Sequence, residues 1–323
     1  MGAASKSPPV TVIALCYNHE RFLIECLESI CTQTFQDFEL IVADDCSRDS
    51  SPELIEAWLA EHRPDSLFIR HKINRGVCAT LNEAISHAQG DFISMIATDD
   101  IWARDKIERQ FAHVQSQAKD VAVVYSDTAQ IDESGKLLPK TFLEAQRPGF
   151  SLPSGQVFSA LADRNFIHPL ASLIRRDAII NVGGYDERLA VEDYDMWLRL
   201  AEKYEFAFLP GVVAKYRIVA TSITRTLFSN PTAAFSYGNF LICEKWLSSK
   251  LLSPVQKRVW ASKQGDAAYW LYYHGDPRAK VCLWKTFFRT GKPRGLLLAL
   301  AASFGLSRNA AKSVMGLVGR RGG

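Results

Sequence analysis

Apolar and polar positions alternate in two different periods along the first hundred residues. Short runs of β-branched and other apolar residues are nearly continuous, which is typical of strands buried on both faces of a sheet. The runs that we predict as strands are 10–16, 38–43, 67–71 and 91–96. The segments between them repeat apolar residues at helical spacing, and the predicted helices are 21–32, 50–62 and 77–88. This alternation predicts a buried, mostly parallel sheet with helices on both faces.

The pattern loosens after a further predicted strand at 121–125. Residues 132–165 contain several Pro and Gly residues, which predicts a surface excursion. Regular structure resumes in the predicted elements 170–175, 192–203 and 212–217, and from about residue 230 the pattern is helical only. We therefore predict an α/β domain over residues 1–225 and a helical region over residues 226–323.

Acidic residues stand at the ends of two predicted strands and at the start of one predicted helix. Asp44 and Asp45 follow the second strand, and Asp99 and Asp100 follow the fourth. In a parallel sheet, ligands bind beyond the carboxyl ends of the strands. Adjacent carboxylates there repel each other unless a cation compensates them, and a divalent ion with a diphosphate would do so. Capping of the following helix is an alternative for each pair, and for Asp44 and Asp45 taken alone it is preferred. Two acidic strand ends in one sheet make capping a weaker explanation than it is for either pair alone.

A third acidic group, EDYD, spans residues 192–195 and leads into a predicted helix. Acidic side chains at a helix start interact favourably with the helix dipole in any protein, and on spacing alone this explanation is preferred. A carboxylate at such a position could also act as a general base that takes a proton from a hydroxyl.

Composition and charge change this picture mainly at the C-terminus. The seven cysteines form no C-x-x-C pair, which argues for reduced thiols and against a disulfide framework or a zinc site. The N-terminal residues lack the apolar core of a signal peptide, and no apolar run is long enough to span a bilayer. The net charge is only +3, yet residues 245–323 carry 15 Lys or Arg and only two acids. This end of the chain is therefore suited to a negatively charged partner.

The ordered set of motifs between about residues 10 and 222 resembles the family 2 glycosyltransferases of the GT-A fold. The segments are VTVIALCYNHE, FELIVADDCSRD, NRGVCATLNEAI, GDFISMIATDDIW, GGYDE and EDYDMWLRL. The resemblance implies an inverting enzyme of the bacterial polysaccharide or O-antigen type. It also implies a nucleotide diphosphate sugar as donor, of the UDP or dTDP type, and Mg²⁺ or Mn²⁺ as cofactor.

Carried over by position, the resemblance gives a role to individual residues. The residues implied to contact the nucleotide sugar are Tyr17, Glu20, Asp45, Asn74, Arg75, Gly76, Asp99 and Arg217. Asp99 would bind the metal with Asp100 beside it, and Asp193 would be the general base with Glu192 near the acceptor. Two positions depart from the family pattern: Ala97 stands where a first acid is usual, and Val219 stands where a histidine is common.

The basic C-terminal region and the acceptor lead to further expectations. The resemblance implies a glycan as acceptor, including glycans that are linked to a lipid at the cytoplasmic face of the membrane. The reduced cysteines indicate a cytoplasmic protein. Aromatic residues interleaved with Lys and Arg suit an anionic membrane surface, although most of these aromatics are also explained as helix core. No nucleic acid is expected as a partner, and DNA or RNA binding by the tail is the weaker option.

Two other classes of protein are alternatives to a glycosyltransferase. A sugar nucleotidyltransferase shares a similar sheet and metal use, but it needs a Gly-rich basic loop after the first strand, where CYNHERF stands instead. A non-catalytic nucleotide-sugar-binding scaffold would have lost Asp99 or Asp193, and both are present.

Overall fold

The structure is a computed structural model that describes residues 7–146, 152–191, 193–219 and 231–306. The chain divides into two compact units, which are described separately below. The first unit comprises residues 1–187 and 192–220, and the second comprises residues 188–191 and 221–323. The expectation that a catalytic domain ends at residue 225 stays a prediction.

The first unit is built on a mixed sheet of eight strands among the described residues. These strands are β1 (Val10–Cys16), β2 (Phe38–Asp44), β3 (Leu67–Arg70), β4 (Phe92–Ala97), β5 (Ile101–Trp102), β6 (Val121–Ile131), β7 (Ser172–Arg175) and β8 (Glu205–Arg217). The spatial order is β3-β2-β1-β4-β7-β6-β8-β5. The strands β3, β2, β1 and β4 run parallel, as the alternating pattern predicts, and this half carries the carboxyl-end site.

The other half of the sheet is not purely parallel. β7 runs antiparallel to both of its neighbours, β4 and β6. β6 and β8 are parallel to each other with irregular register, and both are longer than the sequence pattern predicts. The two-residue strand β5, which the pattern does not predict, pairs antiparallel with β8, so that Ile101 lies opposite Lys215.

Helices cover the sheet wherever their apolar faces match it. The helices of the first unit are α1 (Leu23–Cys31), α2 (Ser51–His62), α3 (Val77–His87), α4 (Lys106–Gln115), α5 (Phe142–Gln146), α6 (Phe158–Asp163), α7 (Arg176–Asn181) and α8 (Asp193–Lys203). In α1, Leu23, Cys26, Leu27 and Ile30 recur at helical spacing and are fully buried. They join the core formed by β1, β2 and β4.

A glycine at the start of β4 allows two segments of the first unit to approach each other closely. A Cβ atom on Gly90 would lie 2.5 Å from the main-chain nitrogen of Thr11. The Gly90 nitrogen donates a hydrogen bond to the Thr11 hydroxyl at 2.9 Å. This contact helps to hold the entry of β4 beside β1, and the parallel register then aligns their carboxyl ends.

The described part of the second unit is helical, as the sequence predicts. Its helices are α9 (Ala233–Leu247), α10 (Pro254–Tyr273), α11 (Ala279–Thr290) and α12 (Pro293–Ser303). Ser253 and Gln256 form a reciprocal capping box at the start of α10. Trp246 and Trp260 are buried, whereas Phe288 and Phe304 are each 77% exposed. The explanation of the aromatic residues as core therefore holds for some of them only.

Candidate active site at the carboxyl ends of the parallel strands

Three neighbouring strands of the parallel half, β2, β1 and β4, end at the same level of the sheet. Cys16 at the end of β1 pairs with Asp44 of β2, and Leu15 pairs with Ala97 of β4. The Asp45 nitrogen donates to the Cys16 carbonyl at 3.0 Å, and the Thr98 nitrogen donates to the Leu15 carbonyl at 2.9 Å. The loops that begin at residues 17, 45 and 98 therefore leave the sheet side by side, as the rule for parallel sheets predicts.

The loops after β1 and β2 are joined by hydrogen bonds between side chains and main chain. Asn18, which has a positive φ of 57°, accepts a hydrogen bond from the Arg48 nitrogen at 2.7 Å. Glu20 accepts one from the Ser50 nitrogen at 2.8 Å, at the start of α2. Tyr17 is half-buried and lies in the same loop. The structure thus places Tyr17 at the site edge, whereas the carboxylate of Glu20 also holds the second loop in place.

Asp45 is buried and organises the loop that carries the other predicted nucleotide contacts. Its Oδ1 accepts a hydrogen bond from the Arg75 nitrogen and its Oδ2 accepts one from the Gly76 nitrogen, both at 2.8 Å. The side-chain amide of Asn74 donates to the Asp45 carbonyl at 3.1 Å. Gly76 has a φ of +82°, a conformation that L side chains rarely adopt, and α3 begins directly after it. Residues 45 and 74–76 therefore form one connected group.

Asp44 and Asp45 have different surroundings although they are adjacent. Asp44 is fully buried and accepts hydrogen bonds from the main chain and the hydroxyl of Ser47, at 2.9 and 2.5 Å. Asp44 therefore caps the turn at Ser47 and not the start of α2, whose N-cap residue is Ser50. Asp45 faces His71 instead, whose Nδ1 lies 2.8 Å from the Asp45 Oδ1.

Asp99 and Asp100 also separate into two positions. Asp99 is partly exposed, and its Oδ2 lies 3.8 Å from Nε2 of His19. Asp100 is buried, and its Oδ1 accepts a hydrogen bond from the Arg217 nitrogen at 2.8 Å. Burial raises the pKa of Asp100, the charge of Asp99 adds to the rise, and Arg217 opposes it. Asp99 is therefore the more accessible of the two acids, and the expectation that both lie at a metal stays a prediction.

Arg217 is 2% exposed and supports the loop that carries these acids. Its Nε donates to the Asp99 carbonyl at 2.8 Å, and its Nη2 donates to Glu25 at 2.6 Å. Its Nη1 donates to the carbonyls of Asp132 and Glu133 at 3.3 and 3.5 Å. We expected Arg217 to contact phosphate, but each guanidinium nitrogen already donates to the protein. The side chain therefore has a supporting position.

Asp193 is the first residue of α8, and its carboxylate is held in one orientation. Oδ2 accepts a hydrogen bond from the side-chain amide of Asn165 at 2.8 Å, and Oδ1 accepts one from the Tyr194 nitrogen at 2.6 Å. Burial raises the pKa of Asp193, and the two hydrogen bonds partly offset that rise. A raised pKa suits a group that takes up a proton near neutral pH. Glu192 lies outside the described residues.

Three residues with polar contacts at these positions were not among the predicted site residues. His19 and His71 stand just after β1 and β3, so the rule that pointed to the acids could also have found them. Asn165 lies in a loop between α6 and β7, and nothing in its sequence context indicates a contact with Asp193. A residue type in a loop does not reveal which distant side chain it meets.

The polar atoms around Asp99 fit a divalent cation that is coordinated partly by the protein and partly by a bound substrate. Within the part of the chain that the structure describes, no group of three or more His, Cys, Asp or Glu side chains is arranged to hold a metal ion. The Asp99 carboxylate and the His19 imidazole are nevertheless two groups of the kinds that bind Mn²⁺. A metal with one or two protein ligands normally completes its shell with substrate phosphates and water.

The fold and this edge of the sheet define a class of protein, the glycosyltransferases of the GT-A fold. Residues 11–203 match the model of the family described as Glycosyl transferase family 2, and the chain belongs to this family. Over 215 residues it is 30% identical to an uncharacterized glycosyltransferase of Methanocaldococcus jannaschii, covering 65% of this chain and 71% of that protein. The protein is thus a glycosyltransferase, and the predicted family and fold class are confirmed.

Solved structures show the same fold at low sequence identity. The crystal structure of S. aureus TarS 1-349 in complex with UDP-GlcNAc has a TM-score of 0.62 and 17% identity, covering 92% of both chains. The mannosyltransferase PcManGT from Pyrobaculum calidifontis, in complex with GDP-Man and Mn²⁺, has a TM-score of 0.60 and 19% identity. That match covers 96% of this chain and 84% of the other.

One further property concerns membranes. In the part of the chain that the structure describes, none of the helices combines the length and the apolar character that crossing a bilayer requires.

Proposed function

We propose that this glycosyltransferase inverts the configuration of a sugar that it transfers from a nucleotide diphosphate donor to an acceptor hydroxyl. The observation that carries the proposal is the Asp193 carboxylate, which Asn165 and the Tyr194 nitrogen fix in place and whose pKa burial raises. A base of this kind takes the hydroxyl proton while the acceptor oxygen bonds to the anomeric carbon. The bond from that carbon to the diphosphate breaks, and the nucleoside diphosphate leaves.

The donor site is the group of residues around Asp45. The Asp45 carboxylate accepts hydrogen bonds from the nitrogens of Arg75 and Gly76 and also contacts His71. The Asn74 amide donates to the main-chain carbonyl of Asp45, and Tyr17 lies in the adjoining loop. A carboxylate offers about four lone pairs, so Asp45 retains capacity for a base or ribose beside its three internal contacts. The ligands named for the structural neighbours, UDP-GlcNAc and GDP-Man, support a nucleotide sugar as donor. UDP and dTDP sugars are the donors that we propose to test first.

The metal belongs beside Asp99, with Mg²⁺ or Mn²⁺ as the cofactor. When bound there, the ion would neutralise charge on the departing diphosphate. The chain contributes the partly exposed carboxylate of Asp99, and Arg217 holds the main chain of that residue. Mn²⁺ in the structure of the Pyrobaculum mannosyltransferase supports this assignment.

For the acceptor, we propose a glycan of the bacterial cell surface that is linked to a lipid. The basic residues of α11 and α12, together with the exposed Phe288 in α11 and Phe304 directly after α12, support docking on an anionic membrane surface. A sugar nucleotidyltransferase is disfavoured, because the loop after β1 ties Asn18 and Glu20 to the next loop and offers no glycine-rich, basic cradle for a triphosphate. A non-catalytic scaffold would not need an oriented Asp193.

Two variants test the proposal on a panel of nucleotide sugars with and without Mn²⁺. Asp193→Asn should retain donor binding, measured as thermal stabilisation, and lose transfer and donor hydrolysis by about a hundredfold or more. Asp99→Ala should lose the Mn²⁺-dependent part of donor binding. Asp65→Asn, at an exposed turn, is the matched control and should behave as wild type. Wild-type transfer by Asp193→Asn would refute the assignment of the base.

A further inference from the structure

His19 is fixed beside Asp99 from two sides. Its Nδ1 lies 3.0 Å from the hydroxyl of Thr98, the residue that precedes Asp99. Its main-chain nitrogen donates to the Ser51 hydroxyl at 3.1 Å, which ties the loop after β1 to the start of α2. The imidazole is therefore held by its neighbours and is not a freely moving surface side chain.

The other ring nitrogen faces the Asp99 carboxylate without bonding to it. Nε2 of His19 and Oδ2 of Asp99 are 3.8 Å apart, which is too long for a hydrogen bond. Neither atom has a hydrogen-bond partner among the described residues, although both side chains are only 23% and 20% exposed. Nε2 of His19 and Oδ2 of Asp99, two atoms that can coordinate a metal ion, thus face each other without a direct bond between them.

The contact of Nδ1 with the Thr98 hydroxyl is compatible with the tautomer that a metal ligand needs. If Nδ1–H donates to Thr98, the lone pair of Nε2 points into the gap. Metal-binding histidines commonly hold one ring nitrogen in this way, so that the other is oriented for coordination.

We propose that Nε2 of His19 is the second protein ligand, with Asp99, of the divalent ion. This inference rests on the proposed function, because it presupposes the metal beside Asp99. His19 would supply the ligand that Ala97 and Val219 cannot supply from their positions. Imidazole suits Mn²⁺ and other transition metals, whereas Mg²⁺ strongly prefers oxygen ligands. We therefore expect this pair to bind Mn²⁺ more tightly than Mg²⁺.

The experiment is pulsed electron paramagnetic resonance of Mn²⁺ bound to the full chain, with UDP, dTDP and GDP added in turn. Wild type should show the modulation of a directly bound imidazole nitrogen, and His19→Ala should lose it. The affinity for Mn²⁺ should fall about tenfold or more in His19→Ala, whereas the affinity for Mg²⁺ should change less than about threefold. Thr98→Val should keep the nitrogen signal and lower the affinity for Mn²⁺ by only a few-fold, because it removes the hydroxyl that orients the His19 ring but leaves both ligands in place.

Two comparisons separate the possible failures. His113→Ala, at a histidine in α4, is the matched control and should keep both the signal and the affinity. Bound Mn²⁺ without a nitrogen signal in wild type, but with binding lost in Asp99→Ala, would overturn the role of His19 alone. Unchanged Mn²⁺ binding in Asp99→Ala would overturn this inference together with the metal half of the proposed function.

Discussion

The Nε of Arg217 donates a hydrogen bond to the main-chain carbonyl of Asp99 at 2.8 Å, although the two residues are 118 positions apart. The pairing of β5 with β8 brings them together, because Ile101 lies opposite Lys215. The Arg217 nitrogen also donates to Asp100, so one arginine holds the main chain of one acid and the carboxylate of the next. Arg217 therefore positions Asp99 without reaching a ligand itself.

Arg217→Lys should weaken Mn²⁺ binding about tenfold while donor binding without metal changes little. Lysine keeps the charge but cannot donate to Asp99, Glu25 and the 132–133 carbonyls at once. Isothermal titration with Mn²⁺ measures the effect. Arg21→Lys, at an exposed partner of Glu133, is the control and should leave the affinity unchanged. Equal affinities in wild type and Arg217→Lys would show that Arg217 does not position the acid.

Asn165→Ala should move the acid limb of the pH–rate profile to higher pH. The Asn165 amide donates to Asp193, and this hydrogen bond stabilises the charged carboxylate. Without it, the pKa of Asp193 rises further, and a base works only when it is deprotonated. A charged hydrogen bond corresponds to a shift of about one pKa unit, so the loss of rate should be about tenfold larger below the pKa than above it.

Asn181→Ala, in which the lost amide bonds to Tyr204, is the control for this pH profile. It should leave the midpoint of the acid limb where wild type has it. If Asn165 served folding alone, its removal would lower the rate by the same factor at every pH.

The parallel half of the sheet was predictable because each strand carries its own local signal. The bounds of β1 agree with the apolar run, β2 ends one residue later than predicted, and β4 is shifted by one residue at both ends. The antiparallel placement of β7 and the short strand β5 were not predictable, since they depend on pairing between distant segments. For the same reason the pattern of apolar and polar positions separated neither Asp44 from Asp45 nor Asp99 from Asp100, although the family resemblance singled out Asp45 for the nucleotide and Asp99 for the metal. Which acid turns inward is decided by contacts such as that from Arg217.

Lys106 gives a prediction about stability and pH, because it is fully buried and no carboxylate among the described residues pairs with it. Its Nζ donates to Ser94, Gln110 and the Ser172 carbonyl, and it lies 4.2 Å from the centre of the Trp102 ring. Burial lowers the pKa of Lys106 well below its usual value. The unfolded chain therefore binds one more proton than the folded chain between the lowered pKa and about 10.4.

Within that window, the contribution of Lys106 to the free energy of unfolding rises with pH, by at most about 1.4 kcal/mol per pH unit. Urea unfolding of wild type and Lys106→Met at pH 7, 8 and 9 should show a difference between them that grows in favour of wild type. Lys140→Met, at an exposed lysine, should show a constant difference from wild type. A constant difference for Lys106→Met as well would mean that the buried ammonium stays protonated.

The hairpin of α11 and α12 should bind anionic bilayers through its exposed aromatic residues and its excess of positive charge. Phe288 and Phe304 are 77% exposed, and Val281 is 58% exposed. Lys292 and Arg294 are exposed near the turn between the two helices, and the sequence contains no Asp or Glu after Asp276. Aromatic side chains partition into the interface, and each Lys or Arg near an anionic surface contributes about 1 kcal/mol.

Vesicle sedimentation with neutral and with phosphatidylglycerol-containing liposomes tests this surface. The double variant Lys292→Glu with Arg294→Glu should lose about tenfold or more of the binding to anionic vesicles, and added salt should weaken the wild type. Phe288→Ser with Phe304→Ser should lose binding without this change in salt dependence. Val255→Ser, at a residue that is 68% exposed in α10, and Arg258→Glu on the same helix are the controls. Equal binding of wild type to neutral and anionic vesicles, or preferential retention by nucleic acid, would contradict a membrane as the partner of this hairpin.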